Sequence, residues 1–299
     1  MTGQQRVLIL GATGKTGQSI LHALLKEPQS FDVEALVRPA SVGKPEVQNL
    51  AAQGVKIHVV DISGPMDQLI RVLTGVDVFI SAIDAMGQRA QLGLVKAAKS
   101  AGVKRFVPCA FITVAPPGGV MALRDSKEEV YQEIWKESLP YTIIDVGYWH
   151  QISFPTLPSG RVDYASVITP QVQIHAGGTA PNMLTDLRDI GAFTSLIIKD
   201  PRTLNKFVVT YSDVLSENEI FALMEEISGE KIQERQYATD EIIAMHEGAA
   251  ANARAKPNDW TAQTLAFIAD YTYSKYVRGD NNPSYAKYLR VPRREGAVP

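Results

Sequence analysis

The chain has one cysteine, Cys109. An intrachain disulfide is therefore impossible, and so is a metal site built on paired cysteines. A lone cysteine fits a reducing compartment. The five histidines are scattered, with no His-x-x-x-His pair and no carboxylate cluster, so no metal site is expected. Neither sign of charge dominates: 30 Lys and Arg stand against 32 Asp and Glu, for a net charge of −2. That excludes the basic footprint of a nucleic-acid binder and gives no attraction to an anionic membrane. No apolar run approaches the ~20 residues that cross a bilayer. The opening Met-Thr-Gly-Gln-Gln-Arg lacks the charged-then-apolar pattern of a secretory leader. A cytoplasmic location is the expectation. Repeats and low-complexity tracts are absent as well.

The 299 residues suffice for one large domain or two smaller ones, each with a proper core. The most informative stretch lies near the start. Val7-Leu8-Ile9-Leu10 is a short apolar run, and Gly11-Ala12-Thr13-Gly14-Lys15-Thr16-Gly17 follows it. Ile20, Leu21, Leu24 and Leu25 then recur at helical spacing. Strand, glycine turn and helix in this order suit an anion: glycines let the backbone turn tightly and approach a pyrophosphate. The free N–H groups of the helix start point at it.

Residues 31–37 read as a second strand, and its end bears on cofactor type. An acid there suits the ribose hydroxyls of NAD(H), whereas an arginine suits a 2′-phosphate. The sequence has Arg38, with Lys44 six residues on. A guanidinium can grip a phosphate through two parallel hydrogen bonds, and Lys44 can add a point charge. NADPH/NADP+ is the expected cofactor.

Helices at 45–53, 66–73 and 88–101 alternate with strands at 55–61, 76–82 and 104–108. In the third helix Leu92, Val95 and Ala98 are the expected apolar positions. This alternation implies a Rossmann-type, doubly wound parallel sheet of the α/β class. Ligands in such sheets sit at the carboxyl ends of the strands. Residues 11–17, Arg38, Ser81, Ala82, Ile83, Cys109, Ala110 and Phe111 should therefore meet in one crevice.

A Pro- and Gly-rich loop at 116–119 leads to a charged helix at 124–138, and a sixth strand at 140–145 runs into Tyr148-Trp149-His150. These three are candidates for the wall of a pocket for a flat, apolar substrate, with His150 a possible second acid/base group. Beyond them, short strands are expected at 162–165 and 171–175, a helix opening near Asp189, and a strand at 206–210 returning to the sheet. Ser216 with Glu219 forms a capping box for a helix ending at Gly229. A strand at 232–237, helices at 239–251 and 260–276, and a loosely ordered tail at 290–299 complete the reading. The expected organisation is a dinucleotide-binding domain at 1–150 with a return segment at 185–212. A smaller α+β substrate-binding region takes 151–184 and 213–299.

Several segments together resemble the NmrA-like, isoflavone reductase and phenylcoumaran benzylic ether reductase branch of the atypical short-chain dehydrogenases. They are the glycine turn, Leu36-Val37-Arg38-Pro39, Val103-Lys104-Arg105-Phe106-Val107-Pro108, Ser126-Lys127-Glu128-Glu129, Leu139-Pro140-Tyr141-Thr142 and Asp200-Pro201-Arg202-Thr203-Leu204-Asn205-Lys206. The resemblance runs from about residue 5 to about residue 280. It implies an NADPH-dependent reductase of an aromatic or polycyclic small molecule, in secondary metabolism; the oligomeric state, monomer or homodimer, is left open. It also implies that Lys127 matches the proton-handling helix lysine of those reductases. A nearby ammonium would stabilise or protonate the anion that hydride delivery creates. Short-chain dehydrogenases at large carry a tyrosine four residues before their lysine; here that position is Leu123. Where the plant reductases carry Ser-Glu-Phe-Gly, this chain has Cys109-Ala110-Phe111-Ile112, so their substrates do not transfer. The other function the resemblance allows is a dinucleotide-sensing regulator acting through a protein partner.

Overall fold

The structure is a computed structural model that describes residues 3–168 and 172–284. In chain order its elements are β1 (Gln5–Leu10), α1 (Lys15–Leu25), β2 (Phe31–Val37), α2 (Pro45–Ala52), β3 (Lys56–Val59), α3 (Met66–Leu73) and β4 (Val78–Ser81). Then come α4 (Gln91–Ala101), β5 (Arg105–Val107), α5 (Ala122–Lys136), β6 (Thr142–Asp145), β7 (Tyr148–Trp149), β8 (Gln173–His175) and β9 (Asn182–Thr185). The last are α6 (Leu187–Lys199), β10 (Lys206–Val209), β11 (Asp213–Leu215), α7 (Glu217–Ser228), β12 (Arg235–Tyr237), α8 (Thr239–Ala255) and α9 (Trp260–Thr272), which runs into a π turn at Tyr273–Arg278. Two compact units result. The first comprises Met1–Phe111, Ser126–Asp145 and Leu187–Val208; the second comprises Ile112–Asp125, Val146–Asp186 and Val209–Pro299.

In the first unit five strands lie in the order β3-β2-β1-β4-β5, every pair parallel. The strand order reverses at β1, between β2 and β4, which is the switch point of a doubly wound sheet. β1 is central and covered on both faces, so Val7, Leu8 and Ile9 are all fully buried. An apolar run without alternation is what a strand buried on both sides requires. A parallel bridge from Phe106 to Tyr141 continues the sheet toward β6, and β6 pairs with β10. The expected return strand at 206–210 is thus β10. The buried Arg105 guanidinium donates to Thr203 Oγ1 at 2.7 Å, Thr142 Oγ1 at 3.1 Å, and the Ile197 and Asp200 carbonyls, both at 3.2 Å. Two of the resembling segments, 103–108 and 200–206, are therefore bonded to each other and have a structural role.

The second unit contains a three-stranded sheet, β11-β9-β7, with β7 parallel and β11 antiparallel to β9. β8 pairs in parallel with β12. The Ser216–Glu219 capping box opens α7 as expected, and Gly229 closes it in the left-handed conformation. Three expectations change here. Residues 163–165 form a short 3-10 turn, not a strand, because successive bonds from Asp163 N to Gly160 O and Ala165 N to Val162 O satisfy the backbone locally. The strand expected at 232–237 is confined to Arg235–Tyr237, where β8 offers a partner; residue 171 of the strand expected at 171–175 lies outside the described residues. The helix at 260–276 is α-helical only to Thr272. Its buried positions are Ala262, Ala266 and Asp270, while Trp260, Leu265 and Ile268 are exposed. The tail at 290–299 lies outside the described residues, and no helix among those described is long and apolar enough to cross a membrane.

Candidate functional site

The parallel strands place their carboxyl ends on one edge of the first unit, and the glycine turn leaves β1 there. Gly11 has φ +84°, and a Cβ on it would stand 2.3 Å from the Ala82 carbonyl oxygen. A Cβ on Gly17 would stand 2.1 Å from the Gly11 carbonyl oxygen. Both positions demand glycine, for different reasons. At Gly11 the turn is left-handed and meets the end of β4; at Gly17 helix α1 packs directly on the turn. Gly14 is the N-cap of α1 and brings no side chain to it, and the first turn holds no acid. The N–H groups of Lys15, Thr16 and Gly17 meet no acceptor among the described residues and are open to an outside one.

Ser81 ends β4, opposite Leu10 in register. Its hydroxyl is buried and has no hydrogen-bond partner among the described residues, which suits a polar ligand group at this edge. Ala82 continues the backbone, its N–H bonding Leu10 O at 2.8 Å. Arg38 follows β2 and is exposed, with no ion pair among the described residues. Lys44 is exposed as well, at the N-cap of α2. These residues fit a phosphorylated dinucleotide: glycines where its backbone must be approached, free N–H donors, an orphaned hydroxyl and an unengaged guanidinium.

The end of β5 is more elaborate. Ala110 N–H bonds Pro108 O at 2.7 Å, a tight turn about Cys109. Phe111 then adopts φ +49°, a left-handed conformation costly for a bulky residue, with its N–H on Ile144 O at 2.8 Å. The Cys109 and Ala110 carbonyls thereby meet one group, the Lys127 ammonium, at 2.5 and 3.1 Å. Lys127 is on α5 and only 2 % exposed. The Cys109 thiol donates to Ile83 O at 3.2 Å and lies 3.9 Å from Lys127 Nζ. Ile83, Cys109, Ala110 and Lys127, assigned separately from the sequence, are one contact group.

Gln88 and Gln91 belong to this group and were not among the expected site residues. Gln88 Oε1 lies 3.2 Å from Lys127 Nζ, and Gln91 Oε1 accepts from Cys109 N–H at 2.8 Å. The buried face of α4 is Gln91, Leu94, Val95 and Ala98, with Leu92 only partly covered. A periodicity count that admits only apolar residues misses a buried glutamine. The three-residue spacing of Gln88 and Gln91 across the start of the helix is the one signal that could have exposed them.

Tyr148, Trp149 and His150 belong to the second unit. His150 Nε2 lies 2.9 Å from Asp213 Oδ2, and Tyr148 carries Lys275 Nζ 3.2 Å from its ring centroid. A shallow cavity in the first unit is lined by Gln5, Asp77, Val78 and Arg105. It opens at the amino ends of the strands, the wrong edge for a ligand of this fold. Among the described residues no group of three or more His, Cys, Asp or Glu could hold a metal ion.

Comparison with known proteins identifies the family. The NmrA-like family model matches residues 3–251. An asnovolin J 5′,6′-dehydrogenase of Aspergillus novofumigatus is 36% identical over 291 residues, covering 97% of this chain and 89% of the relative. Isoflavone reductase homolog P3 of Arabidopsis thaliana is 30% identical over 294 residues, covering 95% and 90%. The fold matches that of leucoanthocyanidin reductase of Vitis vinifera in its binary complex with NADPH. There the TM-score is 0.75 at 24% identity, over 92% of this chain and 88% of that one. The chain belongs to the NmrA-like family, in its branch of isoflavone-reductase-like oxidoreductases.

Proposed function

We propose that this chain is an NADPH-dependent reductase of an aromatic or polycyclic small molecule, of the kind met in secondary metabolism, with Lys127 as its catalytic residue. The observation that carries the reading is the buried Lys127 amino group at the carboxyl edge of the sheet that also bears the glycine turn. The relatives support it: one is named a dehydrogenase and another an isoflavone reductase homolog, and both names describe oxidation–reduction.

The roles follow from the site. Residues 11–17 hold the pyrophosphate through backbone N–H groups, and Arg38 with Lys44 neutralises the 2′-phosphate. Ser81, Ala82, Ile83 and residues 109–111 border the ribose and nicotinamide. Bound NADPH supplies the hydride. Lys127 meets the negative charge that develops on the substrate, stabilising it or protonating it. Within the second unit, Tyr148 and Trp149 are candidates for flat aromatic contact with a substrate, and the His150 imidazole is held by Asp213.

Parallel calorimetric titration with NADPH, NADP+, NADH and NAD+ tests the cofactor. Tight binding that requires the 2′-phosphate and does not favour the oxidised forms is expected. Preference for the oxidised forms, with weak NADPH binding, would overturn the reductase reading in favour of a sensing regulator. Aromatic enones, imines and benzylic ethers are then screened for NADPH consumption, and the reduced products for NADP+ reduction. Lys127→Ala should lower turnover by ~10²-fold or more with NADPH affinity nearly intact; a fully active variant removes the mechanism.

A further inference from the structure

Lys275 is a buried lysine that the proposed reaction leaves unused. It lies in the π turn at Tyr273–Arg278 and is 3 % exposed. Lysines are almost never buried without a partner, and π turns within helices recur at functional sites. The partners of this one are few. Its Nζ donates to the Tyr276 hydroxyl at 3.0 Å, and among the described residues it has no other hydrogen bond and no ion pair. The Tyr276 proton is directed at Glu217, so the hydroxyl oxygen is left to accept from Lys275. An ammonium carries three N–H donors. The others meet ring faces: the Tyr148 centroid is 3.2 Å from Nζ and the Tyr276 centroid 4.4 Å.

The acids and bases around the turn are engaged with one another. On α7, Glu217 accepts from His175 N–H at 2.7 Å and faces His175 Nδ1 at 2.9 Å. His175, on β8, is stacked between Tyr237 and Tyr276. On α9, Asp270 pairs with His246 of α8 at 3.1 Å and accepts from Ala122 N–H at 2.9 Å. Arg278 in the turn pairs with Asp280 at 2.9 Å. Beside Tyr148, His150 pairs with Asp213 at 2.9 Å. Of these groups Glu217 pulls on the amine through space. The charge on Lys275 is thus met at close range by the negative face of Tyr148 and by no carboxylate. The dependence is mutual. The Tyr148 ring is partly exposed, and its plane is set by the ammonium on its face and by the Tyr271 ring, tilted 45° at 5.8 Å. A desolvated cation holds a ring face about thirtyfold better than no cation, and a neutral amine gives up that hold.

We propose that Lys275 is a positioning residue for Tyr148: while it is charged the ring lies against it, and when it loses its proton the ring is released, so that the aromatic wall of the second unit depends on pH. In the release one N–H bond breaks, its electron pair stays on nitrogen, and the proton goes to solvent. A ring held in one pose is preorganised for a flat aromatic ligand. That use of the wall rests on the reading of Tyr148 as a substrate contact; the hold of Lys275 on Tyr148 does not.

The test is the NMR signal of the Tyr148 ring in the full-length protein with 13C-labelled tyrosine, assigned by its loss in Tyr148→Phe and followed from about pH 6 to about pH 9. Burial pushes the Lys275 amine down to about 7 and the Tyr148 hydroxyl up to about 12, so the range contains the titration of the amine and not that of the phenol. The signal should pass between two positions with a midpoint near 7. Lys275→Arg, a cation at every pH, should hold it at the low-pH position throughout. Lys275→Met, never charged, should hold it at the high-pH position and carries the test alone where the arginine does not fold. The nearby histidines are common to all three proteins, so a movement they cause would persist in both variants. A parent signal that stays in place, or one that moves equally in folded Lys275→Met, overturns the inference. Once a substrate is in hand, its KM should rise through the same midpoint in the parent alone, with kcat unchanged. A ring that switches while Tyr148→Ala leaves KM untouched keeps the hold of Lys275 and removes the substrate contact.

Discussion

Lys275 lies in the π turn of the second unit and is only 3 % exposed. Its Nζ sits 3.2 Å from the Tyr148 ring centroid and 4.4 Å from that of Tyr276, and bonds the Tyr276 hydroxyl at 3.0 Å. Burial pushes the amine down from 10.5 to about 7, against a smaller upward pull from Glu217. The unfolded chain therefore binds a proton that the folded chain does not, throughout pH 7 to 10.5. Stability is full above the unfolded value and falls by ~1.4 kcal/mol per pH unit toward the folded one, a total of about 5 kcal/mol. Below about 7 the loss is complete and flat. Lys275→Met removes this pH dependence. Relative to the parent, the variant should therefore be more stable at pH 7 than at pH 9.5 by about 3 kcal/mol, ~2.5 pH units at ~1.4 kcal/mol each. Urea unfolding followed by near-UV circular dichroism at pH 7 and 9.5, at fixed ionic strength, gives the difference directly. Other titrating groups are common to both proteins and cancel. A Met-minus-Lys difference that is the same at both pH values refutes the reasoning, whatever its sign.

Three further outcomes follow from the first unit. Gly17→Ala places a Cβ 2.1 Å from the Gly11 oxygen, so the turn must open by more than a van der Waals tolerance. NADPH affinity should fall ~100-fold, with a stability loss of about 1–3 kcal/mol, whereas Gly43→Ala, which meets nothing within 4 Å, should change neither in titration or melting experiments. Arg38→Ala should weaken NADPH ~10- to 100-fold and leave NADH unaffected; equal losses in calorimetry would remove its role at the 2′-phosphate. Glu34 is opposed by burial, which raises its pKa, but Arg6, His58 and Lys56 draw it down to about 2 from 4.5. The stability this gives is present above pH 4.5 and is lost as pH falls toward 2. Glu34→Gln should cost about 1–3 kcal/mol at pH 7 and flatten the acid dependence of the melting temperature.

Much of the chain's secondary structure could be read without coordinates because its signals are local. The helix expected at 66–73 is α3 to the residue, and the capping box at Ser216 is formed by groups three residues apart. The glycine turn was legible for the same reason: strand, turn and helix are consecutive, and their periodicities change at Gly11 and Gly14. Alternating strands and helices then imply the parallel sheet, and a parallel sheet puts all carboxyl ends on one edge whatever the side chains are. Apolar spacing and glycine position thus determined the architecture and the edge on which ligands belong.

Tertiary structure decided the rest. The three-residue spacing of Gln88 and Gln91 puts them on one side of the helix start, but what they bond there, a thiol-bearing turn and a lysine, comes from other elements. Lys127 reads as one more lysine on a charged helix until β5 delivers two carbonyls to it, and Lys275 as a helix-end cation until Tyr148 covers it. At 163–165, backbone bonds within the turn prevailed over a short apolar pattern. Backbone preference and amphipathicity act between neighbours in sequence and leave a trace there. The satisfaction of a buried polar group depends on whichever donor or acceptor the fold brings to it, and a single chain carries no local record of that partner.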